Sequence, residues 1–431
     1  MKRNSIQTLS KNIGCRAAFL LVFTLQILLT AGSGGAATFI VNSGFDVQDL
    51  EPGNGLCVAY LVVIIPAVLP YCTLRGAIEE ANALAGDDTI ILGSGTYRLS
   101  LTGRDEDQAG SGDLDITGSV HIIGSGADKT FIDAAGIDRV FDIFGPETVV
   151  TLSGLSIING NLPSEGLPHR GGGLRNQGRL TIDHVIISAN TLAGMDGNGG
   201  GIYNNGYCWI NNTTLHDNEA GMGGAIYNDE NGHLQVAATT LDHNSSRGGG
   251  GIVNKGSARI TNTTFFANTA TGANSLPGGA VRNSGMATLL HCTIAGNSAS
   301  AGGGGIYNDN TLSLTNTIIA DNGTDNCLLP GGLISEGGNL DSTTTCGLFR
   351  RPDDIFNRDP MLAPLHDNGG PTPTMALKPG SPAIDAGIPQ DQIATDQRGL
   401  SRPRRKGFDI GAFELNNFSL APCIMPLLLS P

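Results

Sequence analysis

Two histidine–aspartate pairs, His216-Asp217 and Asp242-His243, stand immediately before Asn218 and Asn244, 26 residues apart. On consecutive turns of a coil, His216 would lie over Asp242 and Asp217 over His243, at about 5 Å. At that spacing an imidazole and a carboxylate can serve as general base and orienter. The same spacing also describes plain charge pairing between turns at a solvated bend. The equivalent neighbours, Ala189, Phe266 and Ala267, supply no third partner. A second chemical cluster is Asp105, Asp107, Asp113 and Asp115, oxygen donors suited to calcium in a flexible loop, or else a solvated acidic loop. No Cys or His spacing resembles a zinc site. No Gly-rich run lies between a strand and a helix with a Lys or acidic partner, so nucleotide binding has no support.

What must position these side chains is a repeat. A phrase of two glycines, Gly or Ala, an aliphatic, any residue and Asn recurs at Gly171–Asn176, Gly199–Asn204, Gly223–Asn228, Gly249–Asn254, Gly278–Asn283 and Gly303–Asn308. The final Asn returns after 28, 24, 26, 29 and 25 residues. Self-similarity at this period marks a stacked solenoid. A second phrase ends in Asn190, Asn218, Asn244, Asn268, Asn297 and Asn322. Three residues before these stand Ile187, Leu215, Leu241, Phe265, Ile294 and Ile319, and eight before stand Ile182, Ile210, Val236, Ile260, Leu289 and Leu314. Residues five before are small or β-branched, and residues ten before are again apolar or small.

Apolar residues two apart mark a strand with one buried face. The phase slips between the eighth and fifth residues before the Asn, which predicts two short strands joined at a bend. The glycine phrase supplies a third strand, with Ile202, Ile226, Ile252 and Ile306 inward. Three strands and three bends per repeat predict an all-β fold, a single-stranded parallel β-helix. Val149–Asn161 fits as one further turn ahead of the six. The repeated Asn should stack as a ladder, because its amide donates and accepts along a column and tolerates a left-handed bend. Six Asn fit the glycosylation acceptor pattern (Asn211, Asn212, Asn244, Asn262, Asn322 and Asn417), but the repeat register explains most of them.

The chain carries a formal net charge of −14 over 431 residues, which argues against nucleic acid and anionic membrane surfaces. Lys2, Arg3, Lys11 and Arg16 lead into the apolar run Ala17–Leu29, followed by small residues. This reads as a secretion signal cut after Ala37, with no integral span afterwards. Export implies an oxidising compartment, so Cys57–Cys72 and Cys327–Cys346 are plausible disulfides, with Cys208 and Cys292 as buried thiols. Leu61–Leu69 is a short apolar insert that either packs over the end of the coil or forms an exposed patch.

Tyr71–Asn82 (YCTLRGAIEEAN), followed by Asp87–Leu92 and Gly95–Tyr97, resembles the CSLREA motif of bacterial surface proteins. It departs from that motif at Gly76, where the motif has Glu. Asp367–Thr374, Pro379–Gly387, Thr395–Gly399, Arg402-Pro403 and Asp409–Glu414 resemble the choice-of-anchor Q domain. Gly223–Ile226 and Phe265–Asn268 are similar to the repeats of polymorphic outer-membrane proteins. The resemblance implies a right-handed β-helix exported to the bacterial cell surface, with no established activity. It divides the chain into a signal (1–37), an N-terminal cap with a helix at Arg75–Leu84 and first turns (38–125), β-helix repeats (126–330), an irregular C-terminal cap (331–415) and a tail (416–431). In the cap, Asp385, Asp396, Arg398, Asp409 and Glu414 suggest an ion-pair network over the last turn. The tail Leu420–Pro431 has internal prolines and no basic end, so secretion or loose surface association is expected.

Asp183-His184 resembles a phrase of pectate lyases, but their acidic calcium ligands and basic residue are not in register, and the paired aspartates of polygalacturonases are absent. The functional expectation is therefore adhesin-like binding of an extended ligand such as a polysaccharide, without a cofactor unless calcium takes part. The rival readings are a carbohydrate-active enzyme built on His216, Asp217, Asp242 and His243, and a purely structural surface component.

Overall fold

The alternation within each repeat requires that every second side chain turn inward, and the computed structural model follows it. It describes residues 35–416 apart from 65–66, 104–105, 163–168, 193, 195, 273, 349–350 and 391; at 61–64 and 67–68 it describes the backbone. The expected signal, the tail, Asp105 and Asn417 lie wholly or almost wholly outside these residues. The chain coils into a right-handed parallel β-helix. Its three faces are a first sheet of eleven strands, a second of eleven and a third of nine. Within one turn, Arg179–Asp183 belongs to the first sheet, Ile186–Ser188 to the second and Ile202–Asn204 to the third. Each strand pairs in parallel with its copy one turn on, without slippage through the repeats. The aliphatic columns read from the sequence fill the interior, where Ile182, Ile187, Ile202 and Ile210 have no exposed surface.

Regular turns begin earlier than the repeat phrases do. Thr38–Val41, Asp88–Leu92 and Val120–Ile123 already occupy the first sheet ahead of Val149–Ser153. They lack the glycine phrase, and a long insertion separates the first two.

Both repeated Asn form ladders. The second-phrase amides bond from Asn190 through Asn218, Asn244, Asn268 and Asn297 to Asn322 at 2.8–2.9 Å. The glycine-phrase amides bond from Asn176 to Asn308 at 2.6–2.8 Å. One expectation is corrected here. The ladder Asn do not supply the left-handed bend; the residue before them does, with φ of 55° at Ala189 and 54° at Asp217, His243 and Ala267. The ladder side chain must point inward to stack, and the sharp reversal just before it turns the preceding side chain out. At the other bend Asn212, Asn262 and Asn316 are left-handed. The acceptor-pattern residues Asn244 and Asn322 have no exposed surface.

The helix Leu74–Ala83 covers the first turn. Thr73 caps it, accepting from the Gly76 amide at 3.0 Å. The helix is not amphipathic in the ordinary sense, because Arg75, Glu79 and Glu80 are buried with its apolar residues. Arg75 bonds Asp46 at 2.6 Å and the carbonyls of Ala109, Gly112 and Asp113 at 2.6–3.0 Å. Glu80 takes the amides of Gly53, Gly55 and Leu56. A Cβ at Gly76 would stand 3.1 Å from Thr73 Oγ1 and 3.3 Å from the Asp49 amide, so with a larger residue there these neighbours must give by a few tenths of an ångström. Cys57 bonds Cys72 and Cys327 bonds Cys346, with Cα atoms 5.1 and 4.9 Å apart; Cys208 and Cys292 are buried thiols. No helix among the described residues is long and apolar enough to cross a membrane.

The C-terminal region divides in two. Strands at Ile334–Gly337, Leu340–Asp341 and Ile355–Phe356 continue the coil to its end. Residues 360–415 do not cover that end alone; they fold back along the flank over the outward face of the second sheet. Thr240, Thr264, Thr293 and Ile318 point outward there, yet are buried under this segment. Gln397 binds both Thr240 and Thr264, at 2.8 and 2.7 Å. Ala412 donates to Thr293 at 3.0 Å. Leu377, Ala383, Ile410 and Phe413 pack on Ile318 and Leu340. The expected ion-pair network holds this segment together, with two arginines the sequence reading left out. Arg398 pairs with Asp396 at 2.7 Å, Arg402 with Glu414 at 2.8 Å and Arg405 approaches Asp385 at 3.9 Å. Asp409 instead accepts backbone amides from Asp385 and Leu415, at 2.7 and 2.6 Å.

Candidate functional site

In the second sheet each strand offers two outward side chains. Register places the later of these in one row: Arg98, Asp133, Ile158, Ser188, His216, Asp242 and Phe266. His216 thus does face Asp242 across one turn. The hydrogen bonds, however, run within a turn. His216 Nδ1 lies 2.8 Å from Asp217 Oδ2, and His243 Nδ1 lies 2.8 Å from Asp242 Oδ2. The left-handed bend places Asp217 and His243 beside their own neighbours, so the hydrogen bonds run along the chain while His216 stacks over Asp242 as expected. His184 repeats the arrangement with Asp183 at 2.8 Å on a different column.

Asp242 is the more enclosed carboxylate; its side chain is 16% exposed against 63% for Asp217. Burial pushes the Asp242 carboxyl above the usual carboxylate range, against the pull of His243 and His216. The ring of His243 meets Phe266 edge-on at 5.7 Å. Beyond it the docked segment covers the sheet. Upstream the row leads to an open depression of about 460 Å³ lined by Arg98, Asp133, Asn159, Asn161 and Thr191. Asn159 donates to Asp133 at 2.9 Å, and the buried Asn161 Oδ1 has no partner. Sequence reasoning missed Arg98 and Asp133, which lie before the recognisable repeats.

The structure separates the calcium candidates. Asp105 lies outside the described residues, and Asp107 is exposed. Asp113 and Asp115 are buried and meet Asp142, each offering an oxygen within 4.8 Å of the others. Asp142 follows Asp115 in register one turn on, a relation hidden in sequence. Arg139 bridges Asp113 and Asp142, and Arg175 binds Asp142 at 2.5 and 2.7 Å. Guanidinium groups therefore already supply the positive charge, and the trio reads as an ion-paired seam under the 100–113 loop.

Asp115 is the weak point of that seam in energetic terms. Its Oδ2 accepts the Ala109 amide at 2.7 Å, but its buried Oδ1 has no partner. Burial, with Asp142 close by, pushes its carboxyl up to about 7. The unfolded value is about 3.9, so the folded state binds this proton more tightly. The stability contributed by the proton is complete below about pH 4 and is lost as pH rises through 7. Asp115→Asn is therefore expected to stabilise the protein at pH 8 by roughly 2 kcal/mol and to change little at pH 4. Glu79 and Asp409, raised by burial to about 7 and about 6, act with the same sign. His291, lowered by burial to about 2, acts oppositely. The difference between variant and wild-type urea midpoints across pH isolates Asp115, and a pH-independent difference would sink this account.

Comparison with known proteins adds two likenesses. Residues 291–309 match the Chlamydia polymorphic membrane protein (Chlamydia_PMP) repeat. The crystal structure of pectate lyase Pel9A is 12% identical, covers 89% of this chain and 97% of its own, and superposes with a TM-score of 0.45. No curated protein matches the chain. The matched repeat spans the ladder residue Asn297 and the glycine phrase at Gly303–Asn308, and so covers the second-sheet and third-sheet strands of one turn, Thr293–Ala295 and Ile306–Asn308.

Proposed function

We propose that this chain is an exported, surface-associated β-helix that binds an extended ligand, a glycan chain being the best fit, in the manner of an adhesin. The observation behind this reading is the polar row Arg98, Asp133, Ser188, His216 and Asp242, one side chain per turn apart from Ile158. A row spaced at about 4.8 Å presents donors and acceptors in line, as a hydroxyl-rich chain requires. It opens into the depression at Asp133 and stops at the docked segment. The matched repeat, named for a membrane protein family, supports display at a bacterial outer surface, as does the likeness to the CSLREA and choice-of-anchor Q motifs. The buried residues of those motifs carry structure: Arg75, Glu80, Gln397 and Arg402 hold caps and seams in place.

The second reading is a carbohydrate-active enzyme in which Asp242, its carboxyl raised and held by His243 at 2.8 Å, serves as the acid–base group. One experiment separates the two. A panel of neutral and acidic polysaccharides is immobilised for binding and, in parallel, followed for reducing-end release, with and without calcium. The binding reading expects retention without turnover, weakened about tenfold (about 1.4 kcal/mol) in Asp133→Ala/His216→Ala. Turnover that disappears in His216→Ala/Asp242→Ala would replace it with the enzyme reading. Self-assembly with neither binding nor turnover would leave a structural component.

A further inference from the structure

The outward face of the first sheet carries the chain's single tryptophan. Trp209 lies on the strand Tyr207–Asn211, where side chains alternate. Cys208 and Ile210 fill the core with no exposed surface, so Tyr207, Trp209 and Asn211 must point out. A slip of one residue would bury the indole but bring Cys208 and Ile210 into solvent.

The indole is held in a set plane. The Tyr207 ring lies beside it, with centres 5.8 Å apart and planes within 14°. Tyr207 is clamped in turn by both adjacent turns. The Arg179 guanidinium, one turn back, stands 5.1 Å from the ring centre, and His233, one turn on, stacks at 4.6 Å. Ser257 Oγ fixes His233 from 2.8 Å at Nδ1. Both faces of Tyr207 are therefore taken. Trp209 is different. Its register neighbours are Thr181 and Gln235, which carry neither a ring nor a charge. Among the described residues, the indole N–H, the Thr181 hydroxyl and the Gln235 amide bond no protein group.

We propose that the first sheet binds a neutral polysaccharide, with one pyranose ring stacked on Trp209 and its hydroxyls taken by Thr181, Gln235 and the indole N–H. A pyranose has a face of C–H bonds and a rim of hydroxyls. The C–H face meets the negative face of an aromatic ring and sheds water there. The rim needs donors and acceptors, which a hydroxyl, an amide and an indole N–H supply. Three observations select this occupant. Two rings rimmed by polar side chains offer far less area than a stable protein contact requires, yet enough for one or two sugars. The charges close to the indole are already engaged: Arg179 with Tyr207 and Glu147, Asp183 with His184 and Asn212. Neutral groups are left to meet the ligand, which favours a neutral sugar over a uronate. The pairing stays in register from Val149–Ser153 through Thr311–Thr315, so the face continues on either side of Trp209 as a bed for an extended chain. This site lies on a different sheet from the row of His216. It shares with the binding reading the expectation of a glycan, and not the location.

The test follows Trp209 fluorescence, which comes from this indole alone, and calorimetric titration of the purified protein. The probes are cellohexaose, laminarihexaose and mannohexaose, with hexagalacturonate as the acidic comparison. At least one neutral hexasaccharide is expected to shift the emission saturably. Trp209→Ala should weaken its binding about tenfold, as loss of an aromatic anchor does. Thr181→Arg should weaken it comparably by setting a guanidinium over the indole as Arg179 sits over Tyr207, and it keeps the test if Trp209→Ala does not fold. Binding that leaves the emission unchanged, or that both variants retain, overturns the proposal, as does a response to hexagalacturonate alone or to no probe. Self-association that Trp209→Ala abolishes without saccharide binding also overturns it and assigns the face to a second copy. Trp209 emission reports on the first sheet and not on the row of His216. Silence here therefore leaves the retention experiment on that row to be decided by its own variants.

Discussion

Asn244→Ala is expected to destabilise the protein by about 3–5 kcal/mol, through a single side chain with no exposed surface. Asn244 Oδ1 takes the Asn218 backbone amide at 3.1 Å and the Asn218 side-chain amide at 2.9 Å. Its own amide serves Leu215 O and Asn268 Oδ1, both at 2.9 Å. Truncation removes an amide and leaves partners on the turns above and below without bonds, in a place water does not reach. Each orphaned buried group costs about 1–3 kcal/mol, and turn-to-turn contacts are the main support of a solenoid. Asn244→Asp should also destabilise, because an oxygen would then face Asn268 Oδ1. Urea unfolding provides the measurement, with Gln235→Ala on the open face of the first sheet as the control, expected within about 0.5 kcal/mol of wild type. A shift for Asn244→Ala no larger than that of the control would mean that the ladder adds no stability.

Arg402→Met is the second large effect, expected to cost about 3–5 kcal/mol in the docking of residues 360–415. The Arg402 side chain has no exposed surface. It bonds Glu414 at 2.8 Å, the Gly411 carbonyl at 2.7 Å, the Asp409 carbonyl at 3.2 Å and Asn262 of the coil at 3.3 Å. Methionine fills most of the volume but leaves the buried Glu414 charge without its partner. Glu414 also accepts the Asp409 and Arg404 amides at 3.2 and 3.1 Å, so its displacement loosens the loop that seats Gly411 against Thr293. Hydrogen exchange should rise sharply at residues 396–415 and expose the outward threonines of the second sheet, while ladder amides from Asn190 to Asn297 remain protected. Uniform loss across the coil would instead mean that the segment and the turns unfold as one unit. Release of the segment would leave the polar row up to Asp242 as it is, since Phe266 and Ala295 follow in that row, so glycan retention should not fall in this variant.

The sequence carried the repeat and everything that depends on repetition. A parallel coil places each residue above its copy, so equal spacing along the chain becomes adjacency in space, and the buried columns and both Asn ladders follow from counting. The reading failed where adjacency does not come from the repeat. Asp142 meets Asp113 and Asp115 in turns that lack the glycine phrase. Arg98 and Asp133 join the row of His216 for the same reason. The His–Asp pairs bond within a turn because a left-handed residue, invisible in residue type at Asp217 and His243, redirects the side chain.

Composition and periodicity by themselves determined an all-β parallel coil, which residues face inward, and the column that holds the His–Asp pairs. Tertiary structure alone decided where the C-terminal segment lies. Its contacts join residues far apart in sequence, Thr240 with Pro373 and Asn262 with Thr395, and no local period encodes such a meeting. The outward threonines that receive it look like any solvated strand face until Gln397 and Ala412 dehydrate them. Hydrophobic periodicity selects which side of a strand is buried against its own turn; only the shape and hydrogen bonds of a separate segment select which part of the other side is buried as well.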